Sequence, residues 1–144
     1  MSIWMKRLAT ASAAVCVLFV GRAWGIADEK SAQADKVFEM RTYICNEGKL
    51  EDLHKRFRNH TTKLFEEHGI ENVGYWVPTD GEAAKNTLIY IVAHPSREAA
   101  KANFAKFGKS DVWKKVVEES HRNGPLVKKV ESVFMKPTDY SKIK

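Results

Sequence analysis

The chain has 144 residues, with 24 basic against 18 acidic side chains and a formal net charge of +6. Three of the basic residues and none of the acidic ones fall within residues 1–25, so the remainder carries only +3, too little to argue for a nucleic-acid or membrane-surface partner. Of the two cysteines only Cys45 lies beyond that segment, which excludes an internal disulfide there and leaves packing, with or without a second subunit, to hold the fold.

Residues 1–25 have the layout of a cleavable export signal. Lys6 and Arg7 open it, Leu8 to Val20 is a run of 13 apolar and small residues, and Ala23-Trp24-Gly25 places small residues around a cut. A cut after Ala27 satisfies the same rule. A membrane span needs about 20 apolar residues, so no stable anchor is expected once the signal is removed. Cys16 sits among further apolar residues and fits a lipid-modified cysteine poorly. The expected location is therefore periplasmic or secreted. A mitochondrial presequence is the alternative, because Lys6, Arg7 and Arg22 stand among Ala, Ser and Thr with no acid before Asp28. Residues 26–36 are small, polar and charged, as in a flexible spacer.

Residues 37–144 suit one domain. Val37 to Cys45 alternates with the two-residue period of a strand, Phe38, Met40, Thr42 and Ile44 against Val37, Glu39, Arg41 and Tyr43. Asn46-Glu47-Gly48 is turn chemistry. From Lys49 the period becomes helical, with Leu50, Leu53, Phe57, Leu64 and Phe65 on one stripe and Gly69 as the stop. Ile70 to Pro78 reads as a second strand, with Val73, Tyr75 and Val77 on one side and Gly74 and Trp76 on the other. A polar connection from Asp80-Gly81 leads to Thr87 to Ala93, apolar on both faces like a central strand. Ser96 caps a helix carrying Ala100, Phe104 and Phe107, which Gly108 breaks. Ser110 caps a shorter helix, ended by Gly124-Pro125. Val127 to Met135 is the last strand, with Val127, Glu131, Val133 and Met135 set against Val130 and Phe134, before a polar tail.

The order strand, helix, strand, strand, helices, strand predicts an α+β, ferredoxin-like βαββαβ fold with a four-stranded antiparallel sheet. Helices on one side leave the other sheet face bare. That face would carry Val37 and Tyr43, or their opposites, with other apolar positions. A second copy of the chain is the economical cover, so a homodimer is expected.

No local motif announces chemistry. There is no serine elbow, glycine-rich phosphate loop, dinucleotide fingerprint, HExxH or Cys–His pair, and so no cofactor or metal is expected. His54 and His68 are 14 residues apart, about 21 Å along a helix, too far to share an ion. His68 before Gly69 is placed to complement a helix C-terminus, and His94 and His121 read as surface or boundary residues. His54 and His60 are the catalytic candidates. A pocket between the sheet and the first helix would draw its ligand contacts from His54, His60, Trp76 and Tyr90. Glu39 and Arg41 would either pair with each other or with Glu131 and Lys129, or form a polar floor beneath a ligand.

Several segments together resemble the NIPSNAP family. They are Phe38-Glu39-Met40-Arg41-Thr42-Tyr43 with Gly48-Lys49-Leu50, His68-Gly69 leading to Val73-Gly74-Tyr75-Trp76, the apolar strand Thr87 to His94, and Phe134-Met135-Lys136-Pro137-Thr138-Asp139-Tyr140-Ser141. The resemblance implies a dimeric α+β barrel in which two ferredoxin-like sheets face one another. It implies no activity, since the family lacks an agreed catalytic motif, and some eukaryotic members are mitochondrial. Proteins with the same barrel include cofactor-free monooxygenases, isomerases and haem-degrading oxygenases. The Asn, Trp and His of the haem enzymes have no counterpart trio here, for Trp76 lacks a matching His and Asn46 sits in a turn. The expectation is an exported homodimer binding a small, partly apolar molecule. Alternatives are a protein-interaction module and a cofactor-independent enzyme on the same pocket.

Overall fold

The computed structural model describes residues 36–144. The expected signal, and the spacer up to residue 35, lie outside the described residues. Four strands, β1 (Val37–Cys45), β2 (Glu71–Trp76), β3 (Thr87–His94) and β4 (Val127–Met135), form one sheet in the order β2-β3-β1-β4. Each pair is antiparallel. Among the described residues five α-helices accompany them: α1 (Leu50–Arg56), α2 (Thr62–Glu67), α3 (Ala83–Asn86), α4 (Arg97–Lys109) and α5 (Asp111–Ser120). This is the ferredoxin-like α+β fold that the element order predicts. Among the described residues no helix is long and apolar enough to cross a membrane.

Residues directly opposite in a ladder share a face. Glu39, Arg41 and Tyr43 stand opposite Val92, Tyr90 and Leu88, and these point toward the helices. Phe38, Met40, Thr42 and Ile44 point the other way, with Ile89, Ile91, Glu131 and Val133. The helix-side core contains Leu53, Phe57, Phe65, Ile70, Leu88, Tyr90, Val92, Phe107 and Leu126. Tyr90 lies at its centre, stacked on Tyr75 at 5.3 Å and meeting Tyr43 and Phe57 at 5.2 and 5.3 Å.

Two bulges correct the expected faces. Val73 and Gly74 together oppose the stretch around Ile91, so Val73 leaves the face of Tyr75 and joins Phe38 and Ile91 on the far side. A second irregularity beside Ile44 pairs Val127 with Cys45 and turns Val127 toward the core, away from the face of Glu131 and Val133. The second strand stops at Trp76, short of Pro78, and α3 forms within the polar connection. Gly108 sits inside α4; the break comes at Ser110, whose hydroxyl accepts the Trp113 N–H.

The first helix is not one regular α-helix. Phe57–Thr61 is a π-helical turn between α1 and α2. Leu53, Phe57, Thr61 and Phe65 are all buried, at a constant spacing of four. At 3.6 residues per turn, 12 residues would leave Phe65 about 120° away from Leu53. The wider turn absorbs roughly one residue and returns all four to the core face. The Thr61 and Thr62 hydroxyls donate to the carbonyls of Arg56 and Phe57, each at 3.2 Å and five residues back, which supports the widened ladder.

Candidate functional site

Two grooves flank the π turn, and they separate His54 from His60. The first has a volume of about 260 Å³ and is lined by His54, Phe57, Arg58, Tyr75, Trp76, Val77 and Leu88. Phe57, Tyr75 and Leu88 give it an apolar floor; His54 and Arg58 stand at its lip. Trp76 and Val77 are exposed at 52 % and 37 %, unusual for side chains of this kind beside a hollow. The Trp76 indole folds back over Gly74, where an added Cβ would lie 2.5 Å from the ring. Burial pushes the Tyr75 phenol well above its ordinary pKa, and its hydroxyl donates to Asn72 Oδ1, so it is a neutral wall.

His54 and Trp76 thus border the same groove, although the Trp76 indole itself lies over Gly74 on the outer face of the sheet. Tyr90 stands behind Tyr75, fully buried, and its hydroxyl has no hydrogen-bond partner among the described residues. His60 is exposed and lines the second groove, about 280 Å³, with Asp52, Lys55, Arg56, Asn59, Val116, Glu119, Ser120 and Asn123. The π turn explains the division, since it places Phe57 and Arg58 on one side and Asn59 and His60 on the other.

Glu39 and Arg41 enter neither groove. They pair with each other on the helix side of the sheet, Arg41 Nη1 donating to Glu39 Oε1 at 2.6 Å. Lys129 and Glu131 pair separately, on the opposite face. Ser132 Oγ also donates to Glu39 Oε1, and His94 Nε2 lies 3.4 Å from Oε2 without the alignment of a hydrogen bond. Burial works to raise the Glu39 pKa, but His94, Ser132 and Arg41 outweigh it and hold the carboxyl below its usual value. The Arg41 guanidinium lies over the Phe104 ring at 4.6 Å.

His94 is the correction here. Pro95 suggested a boundary residue, yet His94 is 1 % exposed. The signal was in the alternation of β3, where Leu88, Tyr90, Val92 and His94 follow one another on the inner face. His68 closes α2 as expected, its Nδ1 donating to the Leu64 carbonyl at 2.7 Å. Cys45 is buried, and that burial pushes its thiol pKa up, as for an inert packing residue. Among the described residues no three His, Cys, Asp or Glu side chains converge as a metal site.

Comparison with known proteins adds a family and a fold. The NIPSNAP family signature matches residues 38–142. A NIPSNAP family protein of unknown function from Agrobacterium tumefaciens superposes with a TM-score of 0.66 at 22 % identity, covering 77 % of this chain and 96 % of its own. An uncharacterized NIPSNAP-like domain protein from Burkholderia xenovorans gives 0.65 at 15 %, covering 75 % and 90 %. A second NIPSNAP family protein from Agrobacterium tumefaciens gives 0.65 at 19 %, covering 76 % and 99 %. No curated protein matches the chain.

Proposed function

The chain belongs to the NIPSNAP family, and from that premise we propose that it is an exported homodimer that binds a small, partly apolar molecule beside the π turn. The observation that carries the binding is the first groove. An apolar floor of Phe57, Tyr75 and Leu88 under a polar lip of His54 and Arg58 suits a ligand with one greasy and one polar end. A π turn in the wall supports the reading, because such turns are frequent at functional sites. Dimerisation is supported by the sheet face away from the core, where Met40, Ile89, Ile91, Val133 and Trp76 share one side and Val133 and Trp76 are exposed. Export rests on the basic start, the short apolar run and the small residues before Ile26.

A second reading is an enzyme that needs no cofactor, with His54 moving a proton. His54 is the better of the two histidine candidates because it alone lines the apolar groove.

Native mass spectrometry of the chain recovered from its own export tests the proposal. The expected species is a dimer of residues 26–144 or 28–144 that retains a small molecule. A dimer with nothing bound would shift the reading to a protein-interaction module. A monomer would remove the homodimer, and a chain that keeps its first residues would remove the export signal.

A further inference from the structure

We propose that the second groove, between the π turn and α5, is an oxyanion site in which Arg56 takes a phosphate or a carboxylate. It does not depend on the first groove being a ligand site.

Arg56 is 7 % exposed, and its Nε is out of reach of water. Its neighbours are neutral: Ser120 Oγ at 3.5 Å, His121 Nε2 at 3.3 Å and the Trp113 ring at 5.2 Å. Among the described residues its Nε has no hydrogen-bond partner. Among the described residues no carboxylate makes an ion pair with it, whereas the other inward-facing arginine, Arg41, has Glu39 at 2.6 Å. A guanidinium cannot escape burial by losing its proton. Burial and the Arg56 charge together push His121 below the usual histidine pKa, so it accepts from Arg56 and contributes no second charge.

The groove around Arg56 is polar and open to solvent. Asn59, His60 and Asn123 line it, side chains able to donate hydrogen bonds to an anion. Two acids stand at the rim. Asp52 is held by Lys49 at 3.9 Å and Lys55 at 3.5 Å, while Glu119 is exposed and opposes an anion through water. The rigid fork of a guanidinium matches two oxygens of one carboxylate or phosphate. At about 30 Å³ per displaced water, the 280 Å³ volume admits an anion the size of phosphate or a short dicarboxylate.

Thermal melting of the purified chain in sodium phosphate, or in sodium succinate, against sodium chloride at equal ionic strength tests this. The melting temperature should climb with the logarithm of oxyanion concentration, by about 5 °C at ten times the dissociation constant. A climb in phosphate alone assigns a phosphate, and one in succinate alone assigns a carboxylate. No climb above chloride in either overturns the site. Arg56→Met should abolish the climb measured against its own chloride baseline; a climb that persists overturns the role of Arg56. If Arg56→Met does not fold, Asn123→Leu replaces it. There the apparent affinity should drop about tenfold, the worth of one hydrogen bond to a charged group, and an unchanged affinity overturns the proposal.

Discussion

Glu39 is the carboxylate on which the interior charge of this protein turns. It is 3 % exposed and answers Arg41, Ser132 and His94 at once. Removing one member of a buried ion pair leaves the other uncompensated, a loss of about 3–5 kcal/mol. Glu39→Gln keeps the shape and removes the charge, so it should destabilise by roughly that amount at pH 7 in urea unfolding. The acid limb carries the sign. Because the folded-state pKa lies below the unfolded one, the carboxylate stabilises the fold above the ordinary carboxylate value of about 4.3. That stability is lost as pH falls through the lower, folded-state pKa. The wild-type chain should therefore lose more stability below about pH 4.3 than Glu39→Gln does. Parallel acid limbs would show that Glu39 is not the group responsible.

Elements here are shaped by single residues that set a local register. Gly74 is one. It shares the outer face with Trp76, and only the missing Cβ lets the indole lie across it. Gly74→Ala would place a carbon 2.5 Å from the ring, so the indole has to swing into solvent. Acrylamide quenching of tryptophan fluorescence should rise in Gly74→Ala, with Trp113 as the less accessible reference; unchanged quenching would mean that the ring was never seated there. The π turn works the same way on a longer scale. Its trace in the sequence is the strict spacing of four through Leu53, Phe57, Thr61 and Phe65. A helical stripe of alternating threes and fours hides that drift unless the buried polar Thr61 is counted as part of it.

At the scale of the molecule, the described helices pack on one face of the sheet, and the tail after β4 reaches the other only around Phe38 and Ile91. Val133 is half exposed opposite Met40 on that outer face. Under the homodimer proposal, Val133→Asp puts a charge in the middle of that contact. Sedimentation should find a folded monomer, and an undisturbed dimer would exclude this face from the interface. Tyr43 offers no such test. It packs against Phe57 and Tyr90 on the helix side, so a charge there strikes the core itself.

The order of elements and the antiparallel sheet were legible in the sequence because they depend on period. The spacing of Glu39 and Arg41, by contrast, allowed their pairing without choosing it over a partner on the last strand or a ligand. The caps at Ser96 and Ser110 and the helix end at His68 were legible for the same local reason. What the tertiary structure decided are the relations between elements. Bulges at Val73 and beside Cys45 move residues across the sheet, which no period within one strand can reveal. The packing of α5 against α1 gives Arg56 neutral company, and the π turn sends His54 and His60 into different grooves. A site depends on which side chains converge from distant parts of the chain, and that is settled only when the helices dock on the sheet.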